Sequence, residues 1–378
     1  MNFEYNEEQK LLKESVERWA LDNYSFDQRI AGMANSDGYS RDHYATFAEL
    51  GWLSVPFNEE NGGFGGGVID LAAIMEEMGK ALVVEPVFAN MVLFGGLLEQ
   101  SNSVELKAEL IPQIIDGSLM GAVAMYEPQS RFNMSNIATI AHACADNYSI
   151  SGTKSVVLNG TAAQKFIVTA RTSGEQNDEH GISLFLLDSN ADGVSVNSYA
   201  LMDGQQVADV SFDNANGILL SELDHGFKSL SAAIDRAHIA LCAEAVGIMQ
   251  VLNQTTVEYT KTRKQFGVEI SSFQALQHRM VDTFMAYEQA KSLLIGTLCE
   301  LSDPHTSAEQ AQKMLTATRT LVAKNGKHIG DEAIQMHGGM GLTDEMPVGH
   351  YVKRLMMINL MFGDQSFFQE RFNQVAYT

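Results

Sequence analysis

An α+β fold of three units, a helical segment, a β segment and a bundle of long helices, is what this sequence predicts. Three observations carry it. Helical periodicity with capping signals fills both ends of the chain. The middle is a series of short β-branched runs parted by turn residues. The length, 378 residues, exceeds the usual single domain of about 100 to 200 residues, so several packed units are expected.

The first unit is residues 1–117. Asn6 followed by Gln9 is a capping box, and Leu12, Val16 and Trp19 then fall near one helical face. Further helical patterns run through Arg41–Leu50, Val68–Val83, Val87–Glu99 and Val104–Asp116, with Gly and Pro as punctuation. Val87–Leu98 is the longest apolar stretch. It is interrupted by Asn90 and two glycines and falls short of the ~20 residues that span a bilayer, so it reads as a core helix rather than a membrane insertion. From Ser118 the runs AVAMY, YSISGTKSVVLNG, KFIVTART, ISLFLLD, GVSVNSYAL and QVADVSF make residues 118–225 a β-barrel or sandwich. Residues 226–378 return to long helices over Leu230–Arg263, Ser272–Leu301 and Ala308–Met336. A β module between two helical units opens a crevice at their junction, a common place for a cofactor.

Composition narrows the function classes. Hydrophobic residues are 45% and charged residues 19%, too apolar for disorder. With 25 basic against 47 acidic residues the net charge is -22, a field that repels nucleic acid and anionic membrane surfaces. Cys144, Cys242 and Cys299 are odd in number and form no CxxC pair, which argues against a disulfide framework or a cysteine zinc site. The N-terminus MNFEYNEEQK has no apolar signal core, and a reducing cytoplasm fits best. The ten histidines include no HExxH and no pair at ligand spacing beside a carboxylate, so no metal site is expected.

Three strings stand out. Asn58–Gly67 is glycine-rich but lacks Gly-Lys-Ser/Thr and lies between helices, so it reads as a structural turn. In YTKTRKQFGVEISSFQALQH, Arg263 stands at a helix end, where a guanidinium suits either a pyrophosphate or the helix macrodipole. In QMHGGMGLTDEMPVGHYVKR, Gly338 and Gly339 remove side chains where a backbone passes close to a diphosphate or to a neighbouring helix.

The pair R-x-Q-F-G…FQALQH and Q-x-x-GG-x-G-x-T-x-E-x-P-V resembles the acyl-CoA dehydrogenase family, and the resemblance covers essentially the whole chain. From NEEQKLLKESVER to KRLMMINLMFGD it is most similar to the pimeloyl-CoA dehydrogenase small-subunit type. The resemblance implies an N-terminal helical domain, a central β-barrel and a C-terminal four-helix bundle in a dimer of dimers. FAD then lies at the dimer interface. Arg263, Gln265, Phe266, Phe273, Gln274 and Gln335–Gly339, with His337, Gly338 and Gly339 among them, would reach the ADP part of an FAD whose ring sits in the neighbouring subunit. Met125 and Tyr126 would lie on the flavin side of this chain.

That second half departs from the family pattern. Where the family has T-E-P-x-A-G-S-D this chain has Tyr126-Glu-Pro-Gln-Ser-Arg-Phe-Asn133, and where it has W-I-T-N-G this chain has Val156-Val-Leu-Asn-Gly160. The usual catalytic glutamate aligns with Phe362, which accepts no proton, and the alternative glutamate position in the first bundle helix with Ala237. Asp235 is the nearest carboxylate and the candidate base. His238, where many relatives have an arginine, is the candidate substrate-binding residue; either could equally cap a helix or lie on the surface.

The reading therefore favours an FAD-dependent dehydrogenase of an acyl-CoA substrate, supporting a homologous large subunit in a heterotetramer. An electron-transfer flavoprotein or similar protein would accept the electrons. A complete enzyme with a relocated base, a non-catalytic CoA-ester or partner-binding scaffold, and a flavin oxidase or hydroxylase stay open.

Overall fold

In the computed structural model, which describes residues 5–145 and 147–377, Gln9 N–H donates to the Asn6 side chain at 2.8 Å and Asn6 N–H to the Gln9 side chain at 3.0 Å. That reciprocal box starts α1 (Glu7–Asn23). There follow α2 (Phe26–Met33), α3 (Arg41–Glu49) and α4 (Val68–Ala81). The glycine-rich string between α3 and α4 is a structural turn, as expected: Gly63, Gly65 and Gly66 N–H groups donate to the carbonyls of Asn58, Phe57 and Val55. A Cβ on Gly63 would strike the Phe57 carbonyl.

The apolar stretch after α4 is buried, but it is not an α-helix throughout. Val87–Gly95 winds as a π-helix and only then continues as α5 (Gly96–Glu99). Asn90 anchors it, donating to Tyr44 Oη and Leu119 O and accepting from Gly121 N–H. The last helix of this segment is α6 (Val104–Ile115).

The β segment comprises β1 (Gly121–Ala124), β2 (Ile140–Cys144), β3 (Asn147–Leu158), β4 (Lys165–Arg171), β5 (Ile182–Asp188), β6 (Val194–Ala200) and β7 (Gln206–Leu219). Pairings run β4–β2–β3–β7–β5 and return to β4, which closes a barrel rather than a sandwich. β1 adds in parallel to β4 and β6 antiparallel to β7. Phe166, Phe185, Val210 and Phe212 lie in its core.

Among the described residues the C-terminal region holds five helices. Three are long, α7 (Gly226–Thr262), α8 (Gln274–Ser302) and α9 (Ala308–His337), and two are short, α10 (Pro347–Leu360) and α11 (Gln365–Ala376). The short pair is parted by Phe362 and Gly363, both at positive φ. A hairpin, β8 (Lys264–Gln265) and β9 (Val268–Glu269), joins α7 to α8.

The chain forms two compact units that cut across this order. One takes the chain up to Arg29, Gly67–Val83 and the chain from His238 onward; the other takes Ile30–Gly66 and Val84–Ala237. In the first, α4 crosses α7 at backbone contact: a Cβ on Gly79 would strike the Glu244 carbonyl, and one on Gly247 the Glu76 carbonyl. Among the described residues no helix is long and apolar enough to cross a membrane.

Candidate functional site

At the end of α7 the Arg263 N–H donates to Tyr259 O and the Arg263 carbonyl accepts from Ile270 N–H, both at 2.9 Å, so the chain turns back on itself within seven residues. Phe266 (φ 55°) and Gly267 (φ 82°) are the two turn residues, both left-handed as a two-residue type I′ hairpin requires. Asparagine-glycine is the usual pair there. Phenylalanine at positive φ is costly, yet the Phe266 ring is 93% exposed, edge-on to Phe273 at 6.2 Å. Such a ring gains little from its own chain. Arg263, Gln265 and Gln274 are exposed on the same hairpin and the start of α8.

α9 delivers the second motif to the same place. The His337 ring stacks on Tyr259 at 4.3 Å and 26°, and Tyr259 Oη donates to the His337 carbonyl. His337 Nδ1 meets the Ala333 carbonyl at 2.8 Å, which makes it the protonated nitrogen and leaves Nε2 a buried acceptor without a partner. Burial pushes this imidazole below its usual range. Gly338 combines φ 61° with ψ -142°, a backbone region close to one that essentially only glycine adopts. Gly339 has no such backbone, and a Cβ on it would meet nothing of this chain within 4 Å. Nothing in this chain therefore requires glycine there. An exposed guanidinium, bare glycine backbone, exposed Gln335 and two exposed aromatic rings therefore fit the ADP portion of FAD.

The segments aligned with the flavin ring lie in the other unit. Met125 is buried, and the Tyr126 carbonyl accepts from Ser155 N–H at 2.8 Å. Val156 sits at φ 54° in a β-bulge of β3, a left-handed valine whose side chain is 44% exposed. Leu158 is half-buried, and Phe132 is half-buried beside Arg131. The side chains that would donate to a flavin edge are not those of the family, although the main chain is firmly held.

The position aligned with the family's usual glutamate is buried. Phe362 is 6% exposed at φ 61°. His238 stands edge-on to the rings of Phe362 (5.9 Å) and Phe368 (4.9 Å) and is 2% exposed. It is neither a cap nor a surface group, because it lies well inside α7. Burial, with Arg319 and Arg371 nearby, holds its pKa far below the usual histidine range, so it is neutral. Arg319, which sequence reasoning passed over, is itself buried; it donates to the Ile358 and Met361 carbonyls and lies over Phe368 at 4.7 Å. The carboxylate closest in sequence, Asp364, is occupied as the N-cap of α11, accepting from Phe367 N–H. Asp235 is half-buried and also well inside α7, and Ala237 is fully buried. Among the described residues no cluster of three or more His, Cys, Asp or Glu could hold a metal.

Comparison with known proteins adds the context. The models of the acyl-CoA dehydrogenase N-terminal, middle and C-terminal domains match residues 6–118, 122–215 and 224–368. The probable acyl-CoA dehydrogenase YngJ of Bacillus subtilis (strain 168) is 28% identical over 370 residues, 95% of each chain. The FAD complex of PigA superposes with a TM-score of 0.90 at 23% identity, over 99% of this chain and 98% of that one. The ChsE4–ChsE5 complex of Mycobacterium tuberculosis contains a chain that superposes with a TM-score of 0.89 at 22% identity, over the full length of both.

Proposed function

The chain belongs to the acyl-CoA dehydrogenase family, and from that premise we propose that it is the supporting subunit of a heteromeric, FAD-dependent acyl-CoA dehydrogenase. Members of this family are flavin oxidoreductases acting on CH–CH bonds, and the reaction is α,β-dehydrogenation of an acyl-CoA thioester to the 2-enoyl-CoA. Bound FAD supplies the acceptor for the β-hydride. The α-proton needs a base that is close, desolvated and helped by hydrogen bonds to the thioester oxygen.

In this reading Arg263 bonds the pyrophosphate as a fork, the Gly338–Gly339 backbone lets it approach, and Phe266, Phe273, Gln265, Gln274 and Gln335 line the ADP. These residues serve a flavin whose ring lies on a homologous large subunit. That subunit supplies the glutamate. The observation that carries the proposal is the position aligned with the family's glutamate: Phe362 is buried against His238, with the preceding carbonyls held by Arg319. A homo-oligomer would repeat that arrangement at every site. In a mixed pair one complete site needs only the hairpin half from this chain. The ChsE4–ChsE5 complex supports the reading as a two-component relative in fold. The motif likeness to the pimeloyl-CoA type favours a dicarboxylyl-CoA substrate, with an electron-transfer flavoprotein as acceptor and the cytoplasm as the compartment.

The test is to express the chain alone and with a homologous large subunit, then measure turnover of dicarboxylyl-, fatty acyl- and steroid-side-chain-CoA thioesters. Little or no turnover by the chain alone, restored by the partner, is expected. Rapid turnover by the chain alone would end the supporting-subunit reading and return Asp235 to the centre of the mechanism.

A further inference from the structure

The barrel contains an ionised pair that the chemistry above does not use. Lys154 of β3 is 0% exposed, and its ammonium donates to Glu127 Oε1 at 2.7 Å, Thr169 Oγ1 at 2.9 Å and the Met125 carbonyl at 3.3 Å. Three donors meet three acceptors. Glu127, 5% exposed, accepts in turn from the N–H groups of Ala138 at 2.8 Å and Thr139 at 3.0 Å and from Gln129 Nε2 at 2.6 Å. Burying two charges costs several kcal/mol per ion, and well-packed apolar residues often serve stability as well or better. The pair therefore calls for a positional role.

What it positions is specific. Lys154 and Glu127 tie residues 125–127 to β3 and to the 138–139 stretch, and Ser155 N–H adds its bond to the Tyr126 carbonyl. One residue further, the bulge turns Val156 outward, with its N–H held by Asp209 Oδ1 at 3.1 Å. These are the two stretches aligned with the flavin wall. Because their family hydroxyls and indole are replaced, main chain is what they still offer a flavin edge.

We propose that Lys154 is a positioning residue: through Glu127 and the Met125 carbonyl it holds the main chain of Met125–Glu127 and Ser155–Leu158 in the arrangement that receives the isoalloxazine edge of FAD on this wall. The flavin concerned is the one whose ring would lie on this chain's own wall, distinct from the one whose ring lies on the large subunit, so the inference rests on the FAD-dependent part of the proposed function and not on its heteromeric part.

The test uses the full chain alone, freed of flavin and titrated with FAD, read by the visible absorption band and fluorescence of the bound flavin. Removing one charge would strand the other, so the informative variant is the double Lys154→Met/Glu127→Gln, which neutralises both at similar shape. The expected result is a folded protein with a thermal midpoint within a few degrees of wild type, an FAD Kd raised at least ~10-fold and a displaced visible band. A folded double variant with wild-type affinity and band overturns the proposal, as does a wild-type chain that binds no FAD. Should the double variant not fold, Thr169→Val removes one acceptor of Lys154 and keeps the pair; it should move affinity and band in the same direction by less, and no movement overturns the proposal. CoA-ester turnover by the chain alone bears only on the heteromeric reading, so the two failures are separable.

Discussion

Phe266 and Phe362 both adopt left-handed backbone, at φ 55° and 61°, yet one is 93% exposed and the other 6%. The same local cost has opposite sources of compensation. Phe362 is held by the rings and carbonyl clamps around it, whereas Phe266 has only an edge contact with Phe273 in its own chain. Phe266→Asn installs the favoured Asn-Gly turn, so the stability of the isolated chain should stay within about 0.5 kcal/mol of wild type or rise. FAD affinity of the assembled protein should fall. Denaturant unfolding of the isolated chain and FAD titration of the assembled protein read the two effects separately; unchanged FAD affinity would take the ring out of the cofactor site. At Arg263 the expectation is simpler. Arg263→Ala should lower flavin per assembled dimer, and Arg263→Lys should restore it incompletely because an ammonium lacks the bidentate fork. Flavin content equal to wild type in both variants would disconnect this residue from the pyrophosphate.

At the scale of elements, long periodic helices were the legible part. The pattern over Leu230–Arg263 became Gly226–Thr262 and that over Ala308–Met336 became Ala308–His337, because each helix buries a sustained apolar face. Barrel and sandwich give the same alternation, and only the closed ring of pairings, in which β5 meets both its sequence neighbour β4 and the distant β7, separates them. The π-helix was illegible because Val87–Gly95 is buried on all sides, which erases periodicity. Lys154 escaped notice for a related reason: the bulge between Lys154 and Val157 breaks the inward–outward alternation that would have marked a buried lysine. The ADP half of the site was readable from two motifs, but their meeting through the Tyr259–His337 stack was not. On α7, Asp235→Asn should change turnover of the assembled enzyme less than about tenfold, since it keeps size and removes only a carboxylate that the proposal leaves without a role. A loss of several orders of magnitude in kcat would show that α7 carries the base after all.

Over the whole molecule, two electrostatic effects oppose each other as acid is added, and their balance gives a shape to stability against pH. The net charge of -22 works against compaction at neutral pH, and that repulsion relaxes toward the pI of about 4.7. Each compact unit also holds a buried carboxylate below its ordinary range. Burial alone would raise Glu76, but Lys13 at 3.0 Å and Lys291 at 3.7 Å outweigh it and bring it down. Burial would likewise raise Glu127, yet Lys154 and the hydrogen bonds from Thr139 and Ala138 push it to about 2. A carboxylate whose folded pKa is depressed contributes stability that is fully present above its unfolded value, roughly 4.3, and is lost as pH falls toward the folded one. The thermal midpoint should therefore hold or rise between pH 7 and 5, as repulsion relaxes, and then drop steeply below pH 4, where the paired carboxylates lose their advantage. Added salt should raise the midpoint at pH 7, by screening, and do less near pH 5, where little net charge is left. In Lys154→Met/Glu127→Gln the acid drop should be shallower, because one of its sources is gone while Glu76 remains. Calorimetric scans from pH 7 to 3 at low and high salt measure all of this; a midpoint that kept rising below pH 4 would mean that relief of net repulsion outweighs the buried pairs in both units.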